Sequence, residues 1–456
     1  MRQRMEDALR NTGADYAEIR IERAEATEIG FRGREIDRIS SSGSLGGTAR
    51  AVVKGGWGIA TFNDISDLAE RVREAAACAR LVGQERTELA EVEEIEEIVP
   101  APPMQRDFRG VPLAEKRRVT QQYNELMLDL HSAIQTTQTS YRDVYREVYF
   151  ANSEGSYYQE TRPDVVVALT AVARAGNLVQ RAHESTGRAA GFEVALGLEA
   201  KAQAAAARAA SLLEAPQAQG GAYTVVLNQK LGGVFAHEAF GHLSESDFVY
   251  ENEKMRELMV LGKQFGSEAL SIVDDGSLRG GRGSHPFDDE GVRTRKSYLI
   301  EDGVLVGRLH SRETAAKMGE NVTGNARAVA WRFPPIVRMT NTYIEPGSGA
   351  FEDLIREVKV GLYALDMIGG QTMMEMFTFS AAYGYMIRDG QVAELVRDVV
   401  LTGNVFETLK RIDMVAGDLA WADGGGGCGK GGQSPLPVGI GSPHVRIQGV
   451  TVGGRQ

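Results

Sequence analysis

Cysteine is nearly missing from this chain: Cys78 and Cys428 are the only two in 456 residues. That excludes a disulfide framework and the small secreted scaffolds that need one. Cys78, in A-A-A-C-A on an expected helix, reads as a small buried apolar residue. Histidine is scarce too, with seven, so any two that stand together carry information. No apolar run reaches about 18 residues, which removes membrane-spanning helices. The opening M-R-Q-R-M-E-D-A-L-R has basic residues but no apolar core behind them. It is not a secretory signal, and the chain is expected in the cytoplasm. Positive charge is in the minority, 51 Lys and Arg against 62 Asp and Glu for a net −11. A phosphate-tracking surface is therefore not expected, and neither nucleic acid nor a membrane is an expected partner. The closest thing to a basic patch is residues 279–282 with 293–296. No fixed-period repeat is present.

What is there divides into three expected units. Residues 16–23 alternate apolar and polar side chains, as a half-buried strand does. Similar runs at 26–31, 35–41, 48–53 and 57–62 are punctuated by Gly33, Gly43, Gly46, Gly47, Gly55 and Gly56, read as turns of an antiparallel meander. Helices over 5–11 and 67–80, the latter with Leu68, Val72 and Ala76 in helical spacing, complete an N-terminal α+β domain of residues 1–90. An acidic stretch at 88–97 and prolines within 100–103 read as a linker. The middle α+β domain, 104–215, carries expected helices at 112–134 and 192–213 around strands at 141–150, 156–160 and 164–174. The C-terminal domain, 222–456, opens with a strand at 223–228. Further strands are expected at 270–274, 297–300, 304–309, 336–343, 374–380, 383–388, 391–401 and 445–452, with Asp389 and Gly390 as a hairpin turn. Many strands and few helices predict a β-rich, barrel-like or sandwich-like fold carrying a metal-binding helix. The fold class expected for the whole chain is α+β.

That helix contains residues 234–246, V-F-A-H-E-A-F-G-H-L-S-E-S. Two imidazoles and a carboxylate within six residues are the parts of a zinc-hydrolase site. His237 and His242 would bind the ion as neutral ligands, and Glu238 would take a proton from the water it activates. The spacing is unusual. In H-E-x-x-H the histidines lie at i and i+4, about 40° apart around a helix, whereas i and i+5 places them about 140° apart. A local irregularity is therefore predicted over residues 239–242: either a π-type widening of the turn or a helix end near Gly241.

A catalytic zinc site usually has three protein ligands and one open position. Glu245 and Asp247 are acidic candidates close in sequence. Cys428, in A-D-G-G-G-G-C-G-K-G-G-Q-S-P, is the more telling one, because a thiolate is a strong zinc ligand and flanking glycines let the backbone come close. The thiolate also favours zinc over iron or manganese.

Other candidates are weaker. Residues 275–289, D-G-S-L-R-G-G-R-G-S-H-P-F-D-D, lack the context of a phosphate cradle and read as a mobile, substrate-facing loop. His285 within it is a possible further metal neighbour or oxyanion donor. His310 reads as a surface or loop residue, His131 and His444 as structural or solvated. Tyr383 and Tyr385 share a strand face and read as core packing, with an oxyanion role as the alternative.

H-E-A-F-G-H, the late G-C-G-K-G-G-Q-S-P and the closing V-T-V-G-G together resemble the TldD branch of the TldD/PmbA (TldE) metalloproteases. R-M-T-N-T at 338–342, G-N-A-R-A at 324–328 and F-T-F-S-A-A-Y-G-Y-M-I at 377–387 look like the same family, so the resemblance spans nearly the whole chain. It separates the chain from the TldE/PmbA branch, whose members lack the metal motif. The resemblance implies His237, His242 and Cys428 as ligands of Zn2+ and Glu238 as general base. It implies an unfolded or extended peptide substrate cleaved with little sequence preference, and a TldE/PmbA-like partner chain in a heterodimer, a homodimer being the alternative. Two rival functions stand beside the peptidase. One is a hydrolase trimming a single modified peptide precursor. The other is a non-enzymatic regulatory or partner-binding protein, as the older family description of DNA gyrase modulator suggests.

Overall fold

The computed structural model describes residues 1–82, 87–373 and 375–453. The chain is α+β, and its first half is built on one sheet. Strand β1 (Tyr16–Arg32) pairs antiparallel with β2 (Glu35–Val53), which pairs with β3 (Gly56–Phe62). On its other side β1 pairs with β5 (Ile134–Asn152), once β4 (Glu96–Ile98) has been set aside at the sheet's far edge. Then come β6 (Tyr157–Ala175) and β7 (Leu178–Arg188). Strands from the expected units 1–90 and 104–215 thus hydrogen-bond into a single seven-stranded sheet, and β4, within the expected linker, lies parallel on β6.

The strands are far longer than the sequence runs suggest, because glycines read as turns lie inside β2. The reason is steric. A Cβ on Gly46 would meet the Trp331 ring at 2.5 Å, and one on Gly47 would meet Phe62 at 2.6 Å. These glycines admit neighbouring rings against the strand instead of bending it.

Helices α1 (Arg2–Leu9) and α2 (Leu68–Val82) cover one half of the sheet, burying Met5, Leu68, Val72 and Ala76 against Ile19, Ile21 and Ala51. Cys78, expected to be buried, is exposed, because the buried face of α2 runs through Ala75, Ala76 and Ala79 instead. Helices α3 (Leu113–Leu130) and α4 (Glu199–Glu214) cover the other half. There the Ala202, Ala205, Ala206 and Ala209 face of α4 lies against β6. The expected helix over 192–213 is interrupted: a single tight turn at Phe192–Ala195 precedes α4, separated from it by Gly197 at φ 72°.

The second half contains a closed five-stranded barrel. Strand β8 (Gly221–Leu227) lies between Val360–Met373 and Val445–Gly453; Val445–Gly453 pairs with Val400–Asn404, which pairs with Met376–Arg388, and that strand closes onto Val360–Met373. Asp389 and Gly390, at φ 47° and 75°, make the tight turn after Met376–Arg388 that their sequence predicts. Met374, the first residue of one expected strand, lies outside the described residues. A second, six-stranded sheet runs Val304–Leu305, Lys296–Glu301, Ile272–Asp275, Asn341–Ile344, Gly439–Ser442, Ala420–Trp421. Helix α5 (Gln229–Ala236), capped by the Asn228 side chain, is wedged between barrel and sheet. A Cβ on Gly233 would lie 3.0 Å from the Gly441 backbone, so this glycine lets the helix rest directly on the strand. Among the described residues no helix is long and apolar enough to cross a membrane.

Candidate metal centre

Helix α5 runs on into a π-helical turn, His237–Gly241, followed by a tighter turn at His242–Ser244. This is the widening that the i, i+5 spacing demands, and it brings the two rings to a centroid separation of 5.1 Å. Packing holds the turn in place. Phe235 meets Phe377 and Phe379 of the barrel edge-on, and Ala236, Ala239, Phe240 and Leu243 are buried in the same core. Gly241 is required there, since a Cβ would overlap the Met339 sulfur.

Cys428 arrives from the C-terminal side, on a hairpin of Gly427–Lys430 and Gln433–Pro437. The hairpin is clamped by the motif 338–342: the fully buried Arg338 donates to the carbonyls of Cys428 at 2.9 Å and Gln433 at 3.3 Å. Thr340 and Thr342 fix the neighbouring strand by donating to buried Asp274, which also accepts from Asn325 of the motif 324–328. The family-like motifs are therefore the scaffold of this hairpin.

The result is a cluster in which donor atoms of His237, His242 and Cys428 all lie within 4.8 Å of one another. His242 Nε2 is 3.3 Å from Cys428 Sγ, and its Nδ1 meets Glu245 at 3.0 Å. His237 Nδ1 is buried without a hydrogen-bond partner. Burial alone would neutralise Cys428 and His242. Hydrogen bonds from the two imidazoles outweigh it for the thiol, lowering it to about 5. Hydrogen bonds to Cys428 and Glu245 outweigh it for His242, pushed up to about 10. The contact between His242 Nε2 and Cys428 Sγ thus favours a proton shared between ring and sulfur. A divalent cation would take over that proton's place, as ligands shed protons on metal binding. A soft anionic sulfur, two imidazoles and an orphaned ring nitrogen fit a metal ion.

Glu238 projects from the same π-helical turn, half-buried, with no ion pair or hydrogen bond among the described residues. Glu245 and Asp247, the acidic alternatives for the third ligand, do other work. Glu245, fully buried, orients His242 and is paired at 3.1 Å with Lys430, which also reaches Asp247 at 2.6 Å. The only signal of Lys430 in the sequence is its place two residues after Cys428.

The weaker candidates fall elsewhere. His285 donates through Nδ1 to Glu160 at 3.2 Å and accepts at Nε2 from Arg327 at 3.3 Å, and it is not part of the metal cluster. Its segment 275–289 is pinned, not free: Phe287 stacks on Tyr158 at 5.2 Å and Arg282 pairs with Asp164 at 2.7 Å. His310 is buried against Thr314 and Glu320, against the expectation of a surface position. His444 is held by Tyr363 and Asp418. Tyr385 accepts from Arg208 at 2.9 Å and Tyr383 lies under the same guanidinium, so both serve packing onto α4.

An α+β chain that converges two imidazoles and a thiolate beside a glutamate belongs to the class of candidate metal-site proteins, and comparison with known proteins narrows it. Residues 17–80, 106–213 and 220–454 match, in order, PmbA/TldA metallopeptidase domain 1, central domain and C-terminal domain. The chain belongs to the PmbA/TldD metallopeptidase family. It is 45% identical, over 97% of its length and 95% of the relative's, to "Metalloprotease slr0863" of Synechocystis sp.. It is 28% identical, over 97% of each chain, to "Zinc metalloprotease TldD homolog" of Saccharolobus solfataricus. Among solved structures, TldE from Thermococcus kodakarensis superposes with a TM-score of 0.78 at 18% identity, covering 99% of this chain and 100% of that one; this likeness is one of fold.

Proposed function

We propose that this chain is a zinc-dependent peptidase that cleaves unfolded or extended peptides, with His237, His242 and Cys428 as ligands and Glu238 as general base. The observation that carries the reading is the meeting of the three donor groups within 4.8 Å, beside a glutamate on the same turn. Zinc is favoured by the thiolate, and one relative's name includes it. When bound, zinc supplies a Lewis acid that polarises a carbonyl and lowers the pKa of water from ~15.7 towards ~7. Glu238 accepts the water's proton and delivers it to the leaving amine. Glu245 holds His242 in the tautomer that leaves Nε2 free to bind, and Lys430 pairs with Glu245. Arg338 fixes the sulfur's position through the Cys428 carbonyl. Backbone pairing of an extended peptide to a sheet edge accounts for weak side-chain preference. A TldE-like chain, like the structural neighbour in name, or a second copy of this chain completes the assembly.

The test is cleavage of casein and of unfolded peptides by wild type and Glu238→Ala, with metal content measured for both. Loss of cleavage at unchanged metal content supports the reading; equal cleavage removes Glu238 from the mechanism. Full metal content with no cleavage, in the presence of a TldE-like partner, favours the regulatory alternative.

A further inference from the structure

A cavity of about 690 Å³ lies between the N-terminal sheet and the hairpin that carries Cys428. Its walls are residues of β5 and β6 on one side and of the segments 327–333 and 432–437 on the other. In a chain of net charge −11, six arginines and only four carboxylates line it. Those carboxylates are already engaged. Glu160 and Asp289 both pair with Arg162, at 2.8 and 3.2 Å, Asp164 pairs with Arg282 at 2.7 Å, and Glu28 pairs with Arg38 at 3.0 Å. Arg146 is taken up by Glu22, at 3.2 Å. That leaves Arg142, Arg327 and Arg332 with no carboxylate partner among the described residues.

The three are differently placed. Arg142, on β5, and Arg332, on the facing segment 327–333, are exposed lining residues. Arg327 is buried; it donates to the carbonyls of Met339 at 2.5 Å and Pro437 at 2.8 Å and to His285. Burial, together with the nearby Arg162, holds both Arg327 and His285 below their ordinary ranges. The cavity is also tied to the candidate metal centre. Pro437, whose carbonyl Arg327 holds, lies across the hairpin from Gly427, the residue before Cys428.

We infer that this cavity is a carboxylate-binding subsite: Arg142 and Arg332, which line the same cavity as Arg327, receive a carboxylate carried by a peptide, either its C-terminal carboxylate or an Asp or Glu side chain. A planar guanidinium with no carboxylate of its own is the side chain best matched to that group. A wall one hairpin away from the candidate ligand Cys428 would set how far from the anchored carboxylate a peptide is cut. The inference rests on the peptide-cleaving reading above.

Binding, not turnover, tests it, so that the two ideas can fail separately. Fluorescence anisotropy would follow two labelled, unstructured peptides, identical except for a free acid or an amide at the C-terminus, added to the full-length metal-loaded chain. A second pair, both amidated, would exchange one Gln for Glu. The acid form of at least one pair is expected to bind about tenfold more tightly, the free energy of one charge-assisted hydrogen bond. The pair that responds identifies the source of the carboxylate. Arg142→Gln with Arg332→Gln, both exposed and without ion-pair partners, should abolish the preference while leaving the amide form's affinity unchanged. Equal affinity within both pairs, or a preference that survives the double substitution, overturns the subsite and leaves the peptidase standing. Failure of every peptide to bind overturns both.

Discussion

His242 and His285 are both largely buried imidazoles whose Nδ1 meets a glutamate, at 3.0 and 3.2 Å, yet they end in opposite states. His242 is pushed up to about 10 and His285 is lowered to about 4. Burial lowers both and is the largest effect on each; the surrounding charges decide whether it is overcome. For His242 the hydrogen bonds to Cys428 and Glu245 outweigh it, whereas for His285 the guanidinium of Arg162 adds to it, with a smaller contribution from Arg327. A histidine beside anionic partners attracts a cation, and one beside arginines repels it. The comparison explains why one histidine joins a candidate metal centre and the other, on a cationic cavity wall, does not.

The sharpest way to break the comparison is chemical. Glu238→Ala should lower peptide cleavage by ~10²–10⁴, the range for loss of a general base, measured on casein at constant metal content. No substitution at Glu160, the glutamate beside His285, should alter metal content.

Next is the pH dependence of stability. Unfolded, His285 binds a proton below its ordinary 6.5; folded, it refuses one until about 4. The unfolded state therefore binds more protons in that window, and stability must rise with pH across it. The contribution is fully present above 6.5 and lost as pH falls to about 4, amounting to about 3 kcal/mol. Denaturant titrations from pH 4 to 7 should show a steeper slope for wild type than for His285→Gln; equal slopes would mean that His285 titrates normally. A smaller effect is expected on the other histidine. Glu245→Gln keeps the hydrogen bond to His242 but removes its charge, and should weaken metal affinity about 10–100-fold, read by competition with a chelator.

Local rules made the α+β class, the helices and the Asp389 and Gly390 hairpin legible in the sequence. The i, i+5 spacing of His237 and His242 also foretold the irregular turn, since no regular helix aims both rings at one point. Where the structure departs from these local rules, long-range packing decides. Gly46 and Gly47 look like turn residues, and only the approach of Trp331 and Phe62 shows why they sit mid-strand. The glycine- and arginine-rich segment 275–289 looks like a free loop because its anchors, Tyr158 and Asp164, are over a hundred residues away. The Glu245–Lys430 pair was illegible for the same reason: it exists only once the hairpin has folded back on the turn.

The central claim is that the hairpin near the C-terminus supplies a sulfur to two mid-chain imidazoles. Metal analysis of the purified full-length protein, wild type beside Cys428→Ala, tests it most directly. Stoichiometric zinc in the wild type and its loss from a variant that remains folded by circular dichroism is the predicted result. Equal metal content in the two proteins would contradict the account.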